Sequence, residues 1–111
     1  RPNPSARRKV FNALLASVDL LLMPVMGVAA WSLEAMQAAG RDPEAVAARL
    51  RHTAPFDMSG HPTLTLPGGM TRDGVPTGFQ IVGGVFDEAG LLAAGHAYQQ
   101  STDWHLKRPS L

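Results

Sequence analysis

Cysteine is absent from this 111-residue sequence, lysine occurs only twice, and acidic and basic residues nearly balance. The absence of cysteine excludes a disulfide framework and a thiolate nucleophile, and it fits a reducing compartment such as the cytoplasm. A net charge of +1 gives no electrostatic reason to expect nucleic-acid binding. No apolar run approaches the roughly 20 residues that cross a bilayer, and no signal peptide is visible. We therefore expect a cytoplasmic protein whose segment contacts neither nucleic acid nor membrane.

Apolar residues make up 45% of the chain and charged residues 17%, which is typical of a folded globular protein. The nine prolines and eleven glycines mostly separate the apolar runs, as turn residues do. Residues 1–111 are therefore interpreted as a single segment. Because the sequence opens Arg-Pro-Asn-Pro without an initiator methionine, we expect it to be part of a longer protein.

The first half of the chain predicts a helix, a strand and a helical insert. Helical periodicity indicates a helix over residues 5–17 with Ser5 as its N-cap. The apolar run at 19–23, stopped by Pro24, predicts a strand buried on both faces. Two start signals, Ser32 and the Asp-Pro-Glu sequence from Asp42, predict a helical insert over residues 32–52. A helix that leads into a buried strand is half of an α/β repeat.

The second half predicts a β-hairpin followed by a helix. Alternating residues between prolines indicate a strand from Thr63, and the Asp-Gly dipeptide at 73–74 is a strong turn signal, so the hairpin spans 63–83. Asp87 is the expected N-cap of a helix over 87–101. The inward stripe of that helix is predicted to consist of Leu91, Leu92, Gly95 and Tyr98.

No residue of the chain stands out as a catalytic group. The histidines form no metal-binding spacing and are interpreted as surface or loop-capping residues. The glycine pair at 83–84 matches neither GxGxxG nor GxxxxGK(S/T), and Asp87 would also place a carboxylate at the helix start, where an anion would sit. The serines lie in no GxSxG, SxxK or Gly/Ser-rich sequence, and neither lysine has a neighbourhood that indicates a depressed pKa. We therefore nominate no nucleophile, metal ligand or cofactor site.

Six short motifs, in order, resemble the C-terminal part of the amidase signature family of serine amidohydrolases. They are Val-Asp-Leu-Leu-Leu-Met-Pro at 18–24, Phe-Asp-Met-Ser-Gly-His-Pro-Thr at 56–63, Thr-Leu-Pro-Gly-Gly at 65–69, Gly-Val-Pro-Thr-Gly-Phe-Gln-Ile-Val-Gly at 74–83, Phe-Asp-Glu-Ala-Gly-Leu-Leu at 86–92, and the terminal Trp104 with Pro109. Together they cover nearly the whole chain. Three positions depart from the family pattern: Met23 replaces Thr, Asp57 replaces Asn and Thr63 replaces Ala.

The resemblance implies an α/β fold, namely the C-terminal portion of a mixed-sheet amidase signature fold with covering helices. It also implies a Ser–cis-Ser–Lys triad that forms an acyl-enzyme, with all three residues upstream of this segment. The segment itself would supply sheet, helices and one pocket wall, and it would be inactive alone. We assign that wall to the apolar loop at 25–28, including Val25 and Met26, and to the turn at Phe56 and Asp57. Asp57 either changes substrate preference or bonds within its own turn.

Three interpretations follow for function. The first is a segment of an amidase acting on small-molecule, non-peptide amides without a cofactor. The second is the A subunit of a tRNA-dependent amidotransferase, which shares this pattern and would bring protein and tRNA partners. The third is a non-catalytic binding domain derived from the family. Because cut sheets expose their edges, we expect the segment to bind an upstream amidase segment or to self-associate into homo-oligomers.

Overall fold

A computed structural model describes residues 3–27 and 31–109. The elements of these residues follow one another as α1 (Pro4–Leu15), β1 (Leu21–Pro24), α2 (Leu33–Ala39), α3 (Pro43–Leu50), α4 (Ala54–Ser59), β2 (Thr63–Met70), β3 (Pro76–Val82), α5 (Glu88–Ser101) and a 3₁₀ turn (Trp104–Leu106). No helix within these ranges is both long and apolar enough to cross a membrane.

The N-cap of helix α1 lies two residues before the one that the sequence predicts. Asn3, and not Ser5, is the N-cap, because its side chain accepts a hydrogen bond from the Ser5 N–H at 3.0 Å. Pro4 then occupies the first turn, where its missing N–H costs nothing. Asn and Ser are equally good caps, so the proline between them decides which one serves. The helix ends at Leu15, two residues before its predicted end.

Three other helices start at side-chain caps that the sequence predicts. Ser32 accepts from the Ala35 N–H at 3.2 Å, and Asp42 accepts from the Glu44 N–H at 2.9 Å. Asp87 accepts from the Gly90 N–H at 3.2 Å at the start of α5. Each cap satisfies one N–H that the first helical turn leaves without a partner.

The described strands form one antiparallel sheet in the order β1-β3-β2. The hairpin of β2 and β3 turns at Gly74, whose φ of 77° suits glycine. Its register is Leu64 opposite Ile81 and Leu66 opposite Phe79, with a shift between Pro67 and Gly69. On the other side of β3, Leu22 lies opposite Ile81.

Strand β1 differs from the doubly buried strand that its apolar run predicts. It lies at one edge of the described sheet, and the Leu22 side chain is 72% exposed. A continuous apolar run is typical of a strand covered on both faces, but helix α5 covers the other two strands. The strand also extends to Pro24, which pairs with Phe79.

The main core lies between α5 and the hairpin. Leu66, Ile81 and Leu91 are buried there; Leu20, Leu64, Phe79, Ala94 and Tyr98 pack around them. Gly95 permits the close approach, since a Cβ at that position would lie 2.5 Å from Leu64 Cδ2. Leu92, which the sequence predicts to face inward with the others, is 64% exposed and lies outside the stripe that packs on the sheet. A helical stripe narrower than the sequence suggests is enough to cover two strands.

A second packing centre joins α1 to α4. The rings of Phe11 and Phe56 have centroids 4.9 Å apart, and Phe11 also contacts His61 edge-on at 5.6 Å. The segment at Phe56 and Asp57 is a short helix, α4, and not the predicted turn. It ends at Gly60, which adopts a left-handed φ of 73°.

Candidate functional site

The buried amide of Gln80 connects the end of β1 to the loop that follows α3. Gln80 is 2% exposed and lies in the central strand. Its Nε2 donates to the carbonyl oxygen of His52 at 2.6 Å and to that of Pro24 at 3.2 Å. A buried amide that donates two hydrogen bonds holds both acceptors near it, because its own N–H groups would otherwise be left without partners away from water. Two loops far apart in sequence are therefore held at one place.

This connection brings the two predicted wall segments into one region. Val25 and Met26 follow directly on Pro24, and His52 lies just before the helix that carries Phe56 and Asp57. A Cβ on Gly27 would lie 3.2 Å from His52 Nε2, so the two segments are in contact there. Val28, the end of the predicted loop, lies outside the described residues. The assignment of these segments to a pocket wall remains a prediction.

The four predicted wall residues differ in exposure. Val25 is half-buried and Met26 is 38% exposed, so both present apolar surface. Phe56 is 2% exposed and packs on Phe11, which places its ring in the α1–α4 contact. Asp57 is exposed in the first turn of α4, where the helix dipole favours a carboxylate. Its charge therefore faces outward and not into the core.

Residues Ser59, His61 and Asn12 form a hydrogen-bonded chain between α4 and α1. His61 Nδ1 lies 2.9 Å from Ser59 Oγ, and Nε2 lies 3.0 Å from Asn12 Oδ1. Ser59 and His61 are 4% and 5% exposed. In a neutral imidazole, Nε2–H donates to Asn12 Oδ1, and Nδ1 accepts the proton of the Ser59 hydroxyl, whose oxygen lies 3.4 Å from the Phe56 carbonyl oxygen.

Ser59, His61 and Asn12 are linked in the order of a nucleophile, a base and an orienting group, but their contacts fit a structural role and not a catalytic one. Both ring nitrogens of His61 are occupied, so neither is free to accept a proton from an outside group or to bind a metal. The serine is buried at the end of a helix, where a substrate carbonyl cannot approach. Burial lowers the pKa of His61 below its usual value of about 6.5, and the nearby Arg8 charge lowers it further. A neutral imidazole thus fastens the two helices together.

Neither lysine stands in a catalytic arrangement. Lys9 is exposed on α1. Lys107 Nζ lies 2.8 Å from Asp103 Oδ2, and this contact holds the pKa of the exposed Asp103 carboxyl below its ordinary value. Within residues 3–27 and 31–109, no three His, Asp or Glu side chains come together as a metal site.

Two open cavities lie away from the predicted wall. One of about 270 Å³ is lined by Pro67, Gly69, Met70, Pro76, Trp104, His105 and Lys107. The other, of about 250 Å³, is lined by Pro62, Thr63, Leu64, Glu88, Leu91 and Leu92. Both are mainly apolar. The described residues thus form an antiparallel sheet, the helices that pack on it, and two loops that Gln80 holds together.

Comparison with known proteins identifies the family. The amidase family model matches residues 3–92, and the chain belongs to the amidase family. AmiD of Mycobacterium tuberculosis, a protein whose name assigns it to the amidases, is 48% identical over 102 residues. The A subunit of the glutamyl-tRNA(Gln) amidotransferase of Cupriavidus taiwanensis is 37% identical over 100 residues.

Solved structures agree with this assignment. The structure of 6-aminohexanoate cyclic dimer hydrolase superimposes with a TM-score of 0.73 at 30% sequence identity, over 94% of this chain. The A subunit of the Thermotoga maritima amidotransferase superimposes with a TM-score of 0.71 at 24% identity and shares the fold. The predicted family and α/β fold class are both confirmed.

The chain spans only about one fifth of the relatives that it matches. Its match covers 92% of this chain but 21% of AmiD, and 90% of this chain but 19% of the Cupriavidus protein. It likewise covers 23% of the cyclic dimer hydrolase. Most of the structure of such a relative therefore lies outside the matched region.

Proposed function

We propose that this chain is the C-terminal scaffold and pocket-wall segment of an amidase that hydrolyses carboxylic amides through a Ser–Ser–Lys acyl-enzyme mechanism, with the triad supplied outside these 111 residues. The observation that carries the proposal is the 48% identity to AmiD across 92% of the chain. It is supported by the site itself, where the one serine–histidine pair among the described residues is buried in a helix contact.

In the proposed reaction, the serine hydroxyl attacks the amide carbonyl, and its proton passes through the second serine and lysine to the leaving nitrogen. Ammonia or an amine departs, and water then hydrolyses the serine ester to release the carboxylic acid. The role of this chain is to position the substrate. The two hydrogen bonds from Gln80 (the Gln80 clamp) would hold Val25 and Met26 near α4. Apolar surface and the Asp57 carboxylate would then face the substrate. Correct placement of a bound substrate is a large part of enzymatic rate acceleration.

The test is reconstitution with a relative. The part of M. tuberculosis AmiD that lies outside the matched region is co-expressed with this chain, and ammonia release from propionamide and benzamide is measured. We expect turnover only when both polypeptides are present. Each polypeptide alone serves as the control. Turnover by this chain alone would place catalytic groups within it and contradict the proposal.

A second candidate is the A subunit of a tRNA-dependent amidotransferase, favoured by the 37% identity to the Cupriavidus protein over 90% of the chain. The higher identity to AmiD and the net charge of +1 favour the small-molecule amidase. Specific binding of tRNA(Gln) by the reconstituted protein, measured by filter retention with an unrelated tRNA as the control, would reverse this preference.

A further inference from the structure

The cavity between the β-hairpin and the 3₁₀ turn has no part in the predicted pocket wall. It has a volume of about 270 Å³, and none of the four predicted wall residues lines it. The hairpin side of the lining is formed by Pro67, Gly69, Met70 and Pro76, and the other side by Trp104, His105 and Lys107. This volume lies just below the range of pockets that hold drug-sized molecules, so it suits a ligand built on a single ring.

Backbone geometry and hydrogen bonds form this cavity before any ligand enters. Gly69 has a φ of 146°, a conformation that other residues rarely adopt, and a Cβ there would lie 4.0 Å from Trp104 Cζ2. The lack of a side chain at Gly69 leaves open the space beside the indole ring. Arg108 Nη1 donates to the carbonyl oxygens of His105 and Lys107 at 2.9 and 3.0 Å, which braces the residues around the turn. A preformed site binds more tightly, because less conformational freedom is lost on binding.

The apolar part of the lining is suited to a flat aromatic ring. It combines Trp104 with two prolines, Pro67 and Pro76, and with the thioether side chain of Met70, which is 46% exposed. An indole pairs favourably with another aromatic ring, and methionine sulfur makes favourable contacts with ring edges. An aromatic ligand would gain from both contacts, in addition to the burial of its apolar surface.

The polar part of the lining carries positive charge. Residues 103–108 contain two permanent cations, Lys107 and Arg108, and one acid, Asp103. Lys107 Nζ lies 2.8 Å from Asp103 Oδ2. His105 also lines the cavity, and its Nδ1 is buried without a hydrogen-bond partner among the described residues, which indicates that a partner comes from elsewhere. A carboxylate complements these groups, because its oxygens accept hydrogen bonds from an amine and from an imidazole N–H.

We infer that this cavity binds a small aromatic carboxylate, with the ring against Trp104 and the two prolines and the carboxylate at Lys107. Asp103 competes with the ligand for the lysine amine, so we expect a dissociation constant of about 1 mM. The inference does not depend on the proposed function, because binding here makes and breaks no bond and uses none of the predicted wall residues.

The test is a titration of this chain with benzoate, followed by NMR of the tryptophan indole N–H signals. The chain has two tryptophans, and Trp31→Phe assigns the two signals by removing one of them. We expect benzoate to shift the Trp104 signal to saturation and to leave the Trp31 signal unchanged. Benzamide keeps the ring without the charge, and cyclohexanecarboxylate keeps the charge without the aromatic ring. Each should bind about fivefold more weakly than benzoate.

Two variants test the charge of the site. Lys107→Met removes the amine but keeps an unbranched side chain, and we expect it to weaken benzoate binding by about fivefold. Asp103→Asn removes the competing carboxylate and should tighten binding by about twofold to fivefold. Lys9→Met is the matched control, since it makes the same substitution at the exposed lysine of α1 and should leave the dissociation constant unchanged.

Opposite effects of Lys107→Met and Asp103→Asn would support the inference, because loss of their shared ion pair alone would change binding in the same direction in both variants. Equal affinity for benzoate and benzamide, a shift of the Trp104 signal that does not saturate, or effects of the same sign in the two variants would overturn it. Circular dichroism verifies that each variant keeps its secondary structure. The comparison of the three ligands on the unaltered chain stands without the variants.

Discussion

At the scale of single residues, Gln80 is the group on which the candidate site depends most directly. It is the buried polar residue in the central strand, and its two acceptors lie 28 and 56 positions away in the sequence. Removing it leaves the carbonyl oxygens of Pro24 and His52 without their protein donor. The consequence is local to the two loops, which the sequence assigns to a pocket wall.

Replacing Gln80 with leucine keeps the volume but removes both hydrogen bonds. We expect Gln80→Leu to lower the free energy of unfolding by about 1–3 kcal/mol, the usual cost of leaving buried polar groups unsatisfied. Urea denaturation followed by circular dichroism measures it. The control is Gln100→Leu, at an exposed position on α5, which should change stability little. Equal effects of the two variants would show that the clamp contributes nothing.

His61 predicts a pH dependence of stability. Its folded-state pKa is lowered from the usual value of about 6.5 by burial and by Arg8. The unfolded chain therefore binds a proton more readily than the folded chain, so His61 stabilises the folded state above about pH 6.5. This contribution is lost as the pH falls through the folded-state pKa of His61. Comparison of urea denaturation at pH 7.5 and at pH 5 measures the change.

The His61→Gln variant isolates this effect, because glutamine cannot titrate. We expect a shallower fall in unfolding free energy between the two pH values in His61→Gln than in the parent chain. His96→Gln, which alters an exposed histidine, is the matched control and should keep the parent slope. If the unfolding free energy of His61→Gln falls as steeply with decreasing pH as that of the parent chain, other groups cause the pH dependence.

Part of the candidate site could be predicted from sequence, and part could not. The assignment of a pocket wall to the segments around Val25 and Phe56 comes from the family resemblance and stays a prediction. The Gln80 contacts could not be predicted, because their partners are set by the tertiary fold; the available signal was a polar residue between Phe79 and Ile81 in an apolar strand. His61 has no metal-binding spacing, as the sequence indicates, but its burial against α1 depends on a residue 49 positions earlier.

At the scale of elements, the hairpin depends on close backbone approach at Gly78. A Cβ at this position would lie 2.9 Å from the Leu66 carbonyl oxygen, a backbone atom that cannot rotate away. We expect Gly78→Ala to destabilise the chain by about 1–3 kcal/mol, as overpacking does. Gly40→Ala is the comparison, since a Cβ there meets only ordinary contacts at 3.5 Å and φ is −63°; it should be neutral or stabilising. Thermal unfolding of both variants measures these changes. An unchanged melting temperature in Gly78→Ala would contradict the prediction.

The success of sequence-based prediction also differs from element to element. Helix starts at Ser32, Asp42 and Asp87 were predictable, because a cap and the residues after it are local. The short helix α4 was missed, since Pro55 in its first turn and Gly60 directly after its last residue are typical of a turn. The exposure of β1 was missed because an apolar run indicates that a strand is suited to burial on both faces. It does not show whether the described residues supply anything to cover those faces.

At the scale of the whole molecule, the chain is a thin slab and not a compact globule. Its extents are 43 × 40 × 17 Å, and its radius of gyration is 15.9 Å, whereas a compact domain near this length has about 13 Å. Thirteen large apolar side chains are exposed among the described residues, against five apolar residues in the core. A surface of this kind is typical of a protein that binds another polypeptide.

We therefore expect the isolated chain to self-associate. Sedimentation velocity over a concentration range should give a mass that rises with concentration, and addition of the part of AmiD outside the matched region should replace the self-associated species with a mixed complex. The expectation depends on exposed apolar surface, so Leu22→Glu should reduce the association. A monomer at all concentrations would contradict it.

The two outer strands of the described sheet, β1 and β2, differ in a way that limits how far such association can go. A sheet that can pair at both of its edges adds copies without limit and grows into fibres. In the described sheet, Pro67 and the register shift beside it interrupt the outer edge of β2, so we expect strand pairing only along β1. Two chains joined through β1 would leave no regular outer strand free in that sheet. We therefore expect association by strand pairing to stop at a pair.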